Sequence, residues 1–156
     1  MIRPTLESDT DGLVELAWGT GVFKPLELDT LRELLGDYHA GACSGHFAVT
    51  LERGGQVIGF AYYAPTPMTE STWHLYWIAV SKDGQARGTG TELLRHVETE
   101  IARAGGRVIL AETSSLPHYE LTRRFYSKND YEQEATVRDF YSPGDHQVIF
   151  RKGLAG

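Results

Sequence analysis

The sequence predicts a single α/β domain over 1–156, built on a mixed sheet of six to seven strands flanked by about four helices. Two observations carry this expectation. Apolar residues recur at helical spacing near the N-terminus, over 89–104 and over 117–130, while short runs rich in Val, Ile, Phe, Tyr and Trp lie between and after them. These stretches follow one another as α α β β β α β α β β with no repeat, linker or low-complexity tract, so all of the strands can share one sheet.

Taken in order, residues 2–6 can add a seventh strand at the start. Ser8, Asp9, Thr10 and Asp11 then supply capping residues before GLVELAW, where Leu13, Leu16 and Ala17 share a face. A second helix reads from Asp29 through TLRELLGDYHA, with Leu31, Leu34 and Leu35 inward. HFAVTLE and QVIGFAYYA are strands joined by Arg53-Gly54-Gly55, a hairpin signal. STWHLYWIAV is the third strand and the richest in aromatics. In the next helix Leu93, Leu94, Val97, Ile101 and Ala104 form an apolar stripe that Gly105-Gly106 terminates. RVILAET is a compact apolar strand. PHYELTRRFYSKND reads as a helix, with Pro117 tolerated early and Asn129-Asp130 as stop residues. YEQEATVRDFY and HQVIFRK close the chain as a hairpin around Ser142-Pro143-Gly144-Asp145.

Composition excludes several classes of function. The chain is 41% hydrophobic and 23% charged, a globular profile. A chain of this size buries roughly 68–70% of its unfolded surface, so no staple is needed. A formal charge of −6 argues against nucleic acid or an anionic membrane as partner. Cys43 stands alone, which precludes an internal disulfide and fits a reducing, cytoplasmic setting, and GACSGHF gives it no partner for nucleophilic work. MIRPTLESDTDGL lacks the apolar core of a secretory signal, and no run of about 18 apolar residues offers a membrane span. The histidines have neither H-x3-H nor H-E-x-x-H spacing, so no metal is expected.

The segment VSKDGQARGTGTELL raises the functional question. Its glycines could simply turn the chain from strand to helix, or they could open a cradle of backbone N–H groups for an anion. The first N–H groups of a helix lack partners within it, the helix dipole favours negative charge there, and Gly88 and Gly90 remove side chains that would hold a phosphate away. No Lys follows Gly88 or Gly90 as in a Walker loop, and Leu93 stands where a dinucleotide fingerprint needs its third glycine.

Gln85-Ala86-Arg87-Gly88-Thr89-Gly90 resembles the Q/R-x-x-G-x-G/A motif of the GNAT superfamily of N-acetyltransferases. LTRRFYSKNDYE is similar to that family's A-x-x-F-Y-x-K-x-G-F segment, and the order of elements resembles the GNAT fold over 2–152. The resemblance implies a mostly antiparallel sheet with splayed central strands. It further implies that Gln85, Ala86, Arg87, Gly88, Thr89, Gly90 and Thr91 hold the pyrophosphate of acetyl-CoA as acyl donor, and that Ile78, Ala79 and Val80 pair with its pantetheine arm. Three departures stand out: Asp130 replaces Gly but tolerates a left-handed backbone, Tyr131 replaces Phe, and Tyr119 takes the place of an Asn that commonly contacts the cofactor.

Acyl transfer to an amine requires an unprotonated amine, a donor for the oxyanion and a proton for the departing thiolate. Tyr126 matches the family's general acid, and a phenol carries its proton at neutral pH. The base has two candidates. His74 shares a strand face with Tyr76 and Ile78, and Glu112 ends VILAE; a water chain is the alternative to both. The other histidines read as surface or packing residues. Trp18, Phe23, Tyr62, Tyr63, Trp73, Tyr76 and Tyr119 give the expected acceptor pocket an aromatic character, although aromatics are more often core. The acceptor expected is a primary amine of a small molecule or an amino-acid-like compound. The alternative reading is a non-catalytic acyl-CoA sensor or interaction module. Phe140 and Tyr141 on the last hairpin could serve a homodimer.

Overall fold

A computed structural model describes residues 1–82 and 88–154. Among these residues, the β-rich runs become β1 (Ile2–Pro4), β2 (Phe47–Arg53), β3 (Gln56–Pro65), β4 (Thr72–Val80), β5 (Val108–Ser114), β6 (Glu132–Ser142) and β7 (Asp145–Gly153). The helical stretches become α1 (Thr10–Gly19), α2 (Pro25–His39), α3 (Thr89–Arg103) and α4 (Glu120–Lys128). The strands form one seven-stranded sheet in the order β1-β2-β3-β4-β5-β7-β6. Its β1–β2, β2–β3, β5–β7 and β6–β7 pairs are antiparallel and its β4–β5 pair is parallel, which makes the sheet mixed and mostly antiparallel.

Contacts divide the chain into two compact units. The first comprises Met1–Ala64 and Trp77–Thr99. Its core gathers Leu13 and Ala17 of α1, Leu28, Leu31 and Leu35 of α2, and Ala48, Phe60, Tyr62 and Ala79 of the strands. Leu93, Leu94 and Val97 of α3 have no exposed surface, as their helical spacing requires. Two local readings need correction. The second helix begins at Pro25, one turn before Asp29, because proline suits the first helical position and the Lys24 N–H is held by Glu27 Oε1 at 3.0 Å. Asp9 does not cap α1 with its side chain. Its carboxylate instead accepts from Arg3 at 2.7 and 3.0 Å and from the Leu6 N–H at 2.7 Å, tying the strand β1 to a short 3₁₀ turn over Glu7–Asp9. The Arg3 guanidinium holds the Asp9 carboxyl below the ordinary carboxylate range.

The second unit comprises Pro65–Tyr76 and the described part of Glu100–Gly156. Here Thr72 to Leu75 of β4 run parallel to Val108 to Ala111 of β5, and β5 continues against β7 as far as Ser114. Trp73, Leu75, Ile109, Ala111, Tyr119, Tyr126, Tyr131, Val148 and Phe150 are buried. The predicted helix over 117–130 starts with a 3₁₀ turn, Pro117–Tyr119, before α4 proper. Asp130 then takes φ +71°, the left-handed stop expected of it, and Tyr131 is buried with its ring 5.4 Å from that of Tyr126.

Candidate active site

The helix α3 is entered at Gly88, whose carbonyl accepts the first helical bond from the Glu92 N–H at 3.0 Å. Gly88 has φ +72°, a left-handed backbone that suits glycine, and an added Cβ there would meet nothing within 4 Å among the described residues. Thr89 opens the helix fully buried, and its hydroxyl has no hydrogen-bond partner among the described residues. A buried hydroxyl without a partner costs about 1–3 kcal/mol unless something satisfies it, and an anionic oxygen at a helix N-terminus is a suitable acceptor. Glu92 in the first turn would repel such an anion, but its carboxylate is engaged by the Arg53 guanidinium. Gly90 and Thr91 lie in the same first turn. Ile78, Ala79 and Val80 form the end of β4, with Ala79 and Val80 buried. Gln85, Ala86 and Arg87 lie outside the described residues.

In the second unit the two candidate bases meet. His74 pairs in register with Leu110, and Glu112 lies two residues further along β5, on the same face of the sheet. His74 Nε2 is 2.9 Å from Glu112 Oε1, and His74 Nδ1 is 2.6 Å from the Thr66 hydroxyl. The imidazole also stacks on Tyr76, ring centroids 5.3 Å apart and planes 17° apart, as the shared strand face predicts. Burial raises the Tyr76 phenol above the ordinary tyrosine range, and the Glu112 carboxylate adds to the rise. The side chains of His74 and Glu112 keep 16% and 30% exposure, so the pair is sheltered and still open to solvent.

Tyr126 sits on α4 with its ring against Tyr131 and Phe150, at centroid distances of 5.4 and 5.3 Å. Burial pushes its phenol well above the ordinary tyrosine range. It therefore stays protonated at neutral pH, as a donor must, but it is a weaker acid than an exposed tyrosine.

The aromatics expected around the acceptor divide between core and surface. Tyr62, Tyr63, Trp73 and Tyr119 are buried core residues, whereas Trp18 and Tyr76 are exposed. Phe140 and Tyr141 are exposed on β6. Among the other histidines, His46 Nδ1 bonds the Tyr62 hydroxyl at 2.6 Å, and His146 Nδ1 accepts from the Asp139 N–H at 2.9 Å, both structural roles. Sequence reasoning missed Thr66. The one signal for it is its setting, Pro65-Thr66-Pro67, which marks a stiff turn without revealing what the hydroxyl meets.

The sequence model of the Acetyltransferase (GNAT) family matches residues 11–131. The chain belongs to the GNAT family of acetyltransferases. A crystal structure described as a GNAT-family acetyltransferase from Desulfovibrio desulfuricans is 37% identical, with a TM-score of 0.94 and 99% of each chain covered. An aminoglycoside 6′-N-acetyltransferase complexed with coenzyme A shares the GNAT fold at 18% identity and TM-score 0.79, over 100% of this chain and 98% of that one. The ribosomal-protein-S18-alanine N-acetyltransferase from Escherichia coli shares it at 17% identity and TM-score 0.77, over 100% and 96%. A search of curated proteins returned no match. The protein is thus an acyltransferase of the GNAT type. No described helix is long and apolar enough to cross a membrane.

Proposed function

We propose that this GNAT protein transfers the acetyl group of acetyl-CoA to a primary amine of a small-molecule or amino-acid-like acceptor, by direct attack in a ternary complex. The observation that carries the reading is the His74–Glu112 contact of 2.9 Å, a histidine–carboxylate pair that can remove a proton from an amine. A module that only bound acyl-CoA would have no use for such a pair on an accessible strand face.

In this reading Gly88, Thr89, Gly90 and Thr91, with Gln85, Ala86 and Arg87, hold the pyrophosphate. The Thr89 hydroxyl, without a partner among the described residues, and the left-handed backbone at Gly88 support that assignment. Ile78, Ala79 and Val80 offer backbone groups of β4 to the pantetheine amides. Glu112 accepts the amine proton, with His74 hydrogen-bonded to it. Tyr126 donates to the departing sulfur; its raised pKa makes hydrogen bonding to the thiolate more favourable than complete transfer, because a thiol near 8.5 is the stronger acid. The holding of both reactants together supplies several kcal/mol of the barrier reduction without a covalent enzyme intermediate.

The test is release of free thiol from acetyl-CoA across a broad panel of primary amines, for the wild type and for Glu112→Gln. Amine-dependent release that falls by about 10²–10⁴ in Glu112→Gln, with acetyl-CoA affinity unchanged, is the expected result. Binding of acetyl-CoA with thiol release at background for every amine would favour the non-catalytic sensor.

A further inference from the structure

A neutral imidazole carries one N–H donor and one bare nitrogen. Both nitrogens of His74 are engaged, Nε2 with Glu112 Oε1 at 2.9 Å and Nδ1 with Thr66 Oγ1 at 2.6 Å. An ionised carboxylate only accepts, so the nitrogen facing Glu112 must carry the hydrogen. Nδ1 is then bare, and the partner that satisfies it is a hydroxyl, which can donate. We propose that Thr66 is a positioning residue of the active site: its O–H donates to His74 Nδ1 and fixes the orientation of the ring, so that the Nε2–H that Glu112 demands is held on that carboxylate.

The consequence divides the two candidate bases. Nε2 is occupied by its own proton and by Glu112, so His74 cannot take a proton from an amine through that nitrogen. Among the described residues Glu112 has His74 as its hydrogen-bond partner through Oε1, which leaves the carboxylate's second oxygen to receive the amine proton. His74 orients the base, and Thr66 orients His74.

The turn that carries Thr66 is built to hold it still. Pro65 and Pro67 flank it, and proline disfavours helical backbone angles in the residue before it. The Thr66 N–H bonds the Thr72 carbonyl at 2.7 Å, and the Thr66 carbonyl accepts from the Thr69 hydroxyl at 2.8 Å. The Thr69 hydroxyl also accepts from the Thr72 N–H at 3.2 Å. Arg107 fastens the far side of the turn, its N–H to the Ser71 carbonyl and its Nε–H to the Glu70 carbonyl, each at 2.8 Å. Met68 and Ser71 adopt φ of +64° and +62°, backbone angles that only a well-determined turn sustains in such residues.

The assignment of Glu112 as base rests on the acetyltransferase reading, whereas the tautomer does not, and the experiment separates the two. Long-range ¹H–¹⁵N correlation spectra of the full-length chain report the His74 tautomer, with the ring assigned by its loss in His74→Asn. The wild type is expected to show Nε2–H. Thr66→Val, which keeps the shape and removes the hydroxyl, is expected to keep Nε2–H, because Glu112 still faces it, but to move the Nδ1 resonance to that of a ring nitrogen with no donor, and its kcat is expected to fall about tenfold with KM for acetyl-CoA unchanged. Thr66→Ser restores both. A wild-type Nδ1–H tautomer, a Thr66→Val ring indistinguishable from wild type, or an altered ring with unchanged kcat would each overturn the proposal. A wild type with the Nε2–H tautomer but inactive toward every amine would count against the acetyltransferase reading while upholding the Thr66 hydrogen bond.

Discussion

Thr89 contributes a hydroxyl that is fully buried and has no hydrogen-bond partner among the described residues, and in the proposed reading it meets the cofactor's phosphate. Thr89→Val replaces that hydroxyl with a methyl of similar size. The fold should be unharmed or stabilised, with thermal unfolding at or above the wild-type temperature, while acetyl-CoA affinity falls several-fold by titration. A loss of stability with unchanged affinity would make Thr89 an ordinary core residue. At this scale the sequence was partly legible. His74 and Glu112 could each be named as a base, because strand alternation and a strand's acidic end are visible in the order of residues. Their meeting was not, since it depends on the parallel register that sets His74 opposite Leu110. Thr66 was invisible for the same reason: no motif announces a hydroxyl that meets a ring nitrogen across a turn.

Elements depend on a few contacts that tolerate little change. Gly106 follows α3, and a Cβ added there would meet the Ile101 carbonyl oxygen at 2.9 Å and Trp73 Cδ1 at 2.9 Å, besides clashing with the Ile101 side chain. Gly106→Ala must therefore shift the helix end or the strand, and a loss of about 1–3 kcal/mol in denaturant unfolding is expected. The Arg3–Asp9 pair makes a second prediction. Asp9 has a lowered pKa in the folded chain, so its contribution is present above the ordinary carboxylate pKa of 3.8 and is lost as pH falls through the folded value. Asp9→Asn should unfold more easily than wild type near neutral pH, by about 1 kcal/mol, and the gap should close as the pH drops below about 4. A gap that persists at low pH would remove the charged form from the explanation. The sequence suggested Asp9 as a helix cap because Asp before an apolar run has that signature. Competition from Arg3 and the Leu6 N–H overrode the signature, and only tertiary structure reveals such competition.

At the scale of the whole molecule, the order of elements and the change of hydrophobic period sufficed to anticipate the mixed sheet, because each amphipathic stretch must bury one face and the sheet is where the faces meet. What they could not supply was the parallel pairing of β4 with β5, which carries both members of the proposed dyad. In the proposed reading the turn into α3 cradles acetyl-CoA and is not a plain reversal of the chain. Calorimetric titration of the purified full chain with acetyl-CoA, and separately with ATP, tests it most directly. Saturable one-to-one binding of acetyl-CoA with none of ATP is expected. No heat from acetyl-CoA, or equal binding of the two, would contradict it.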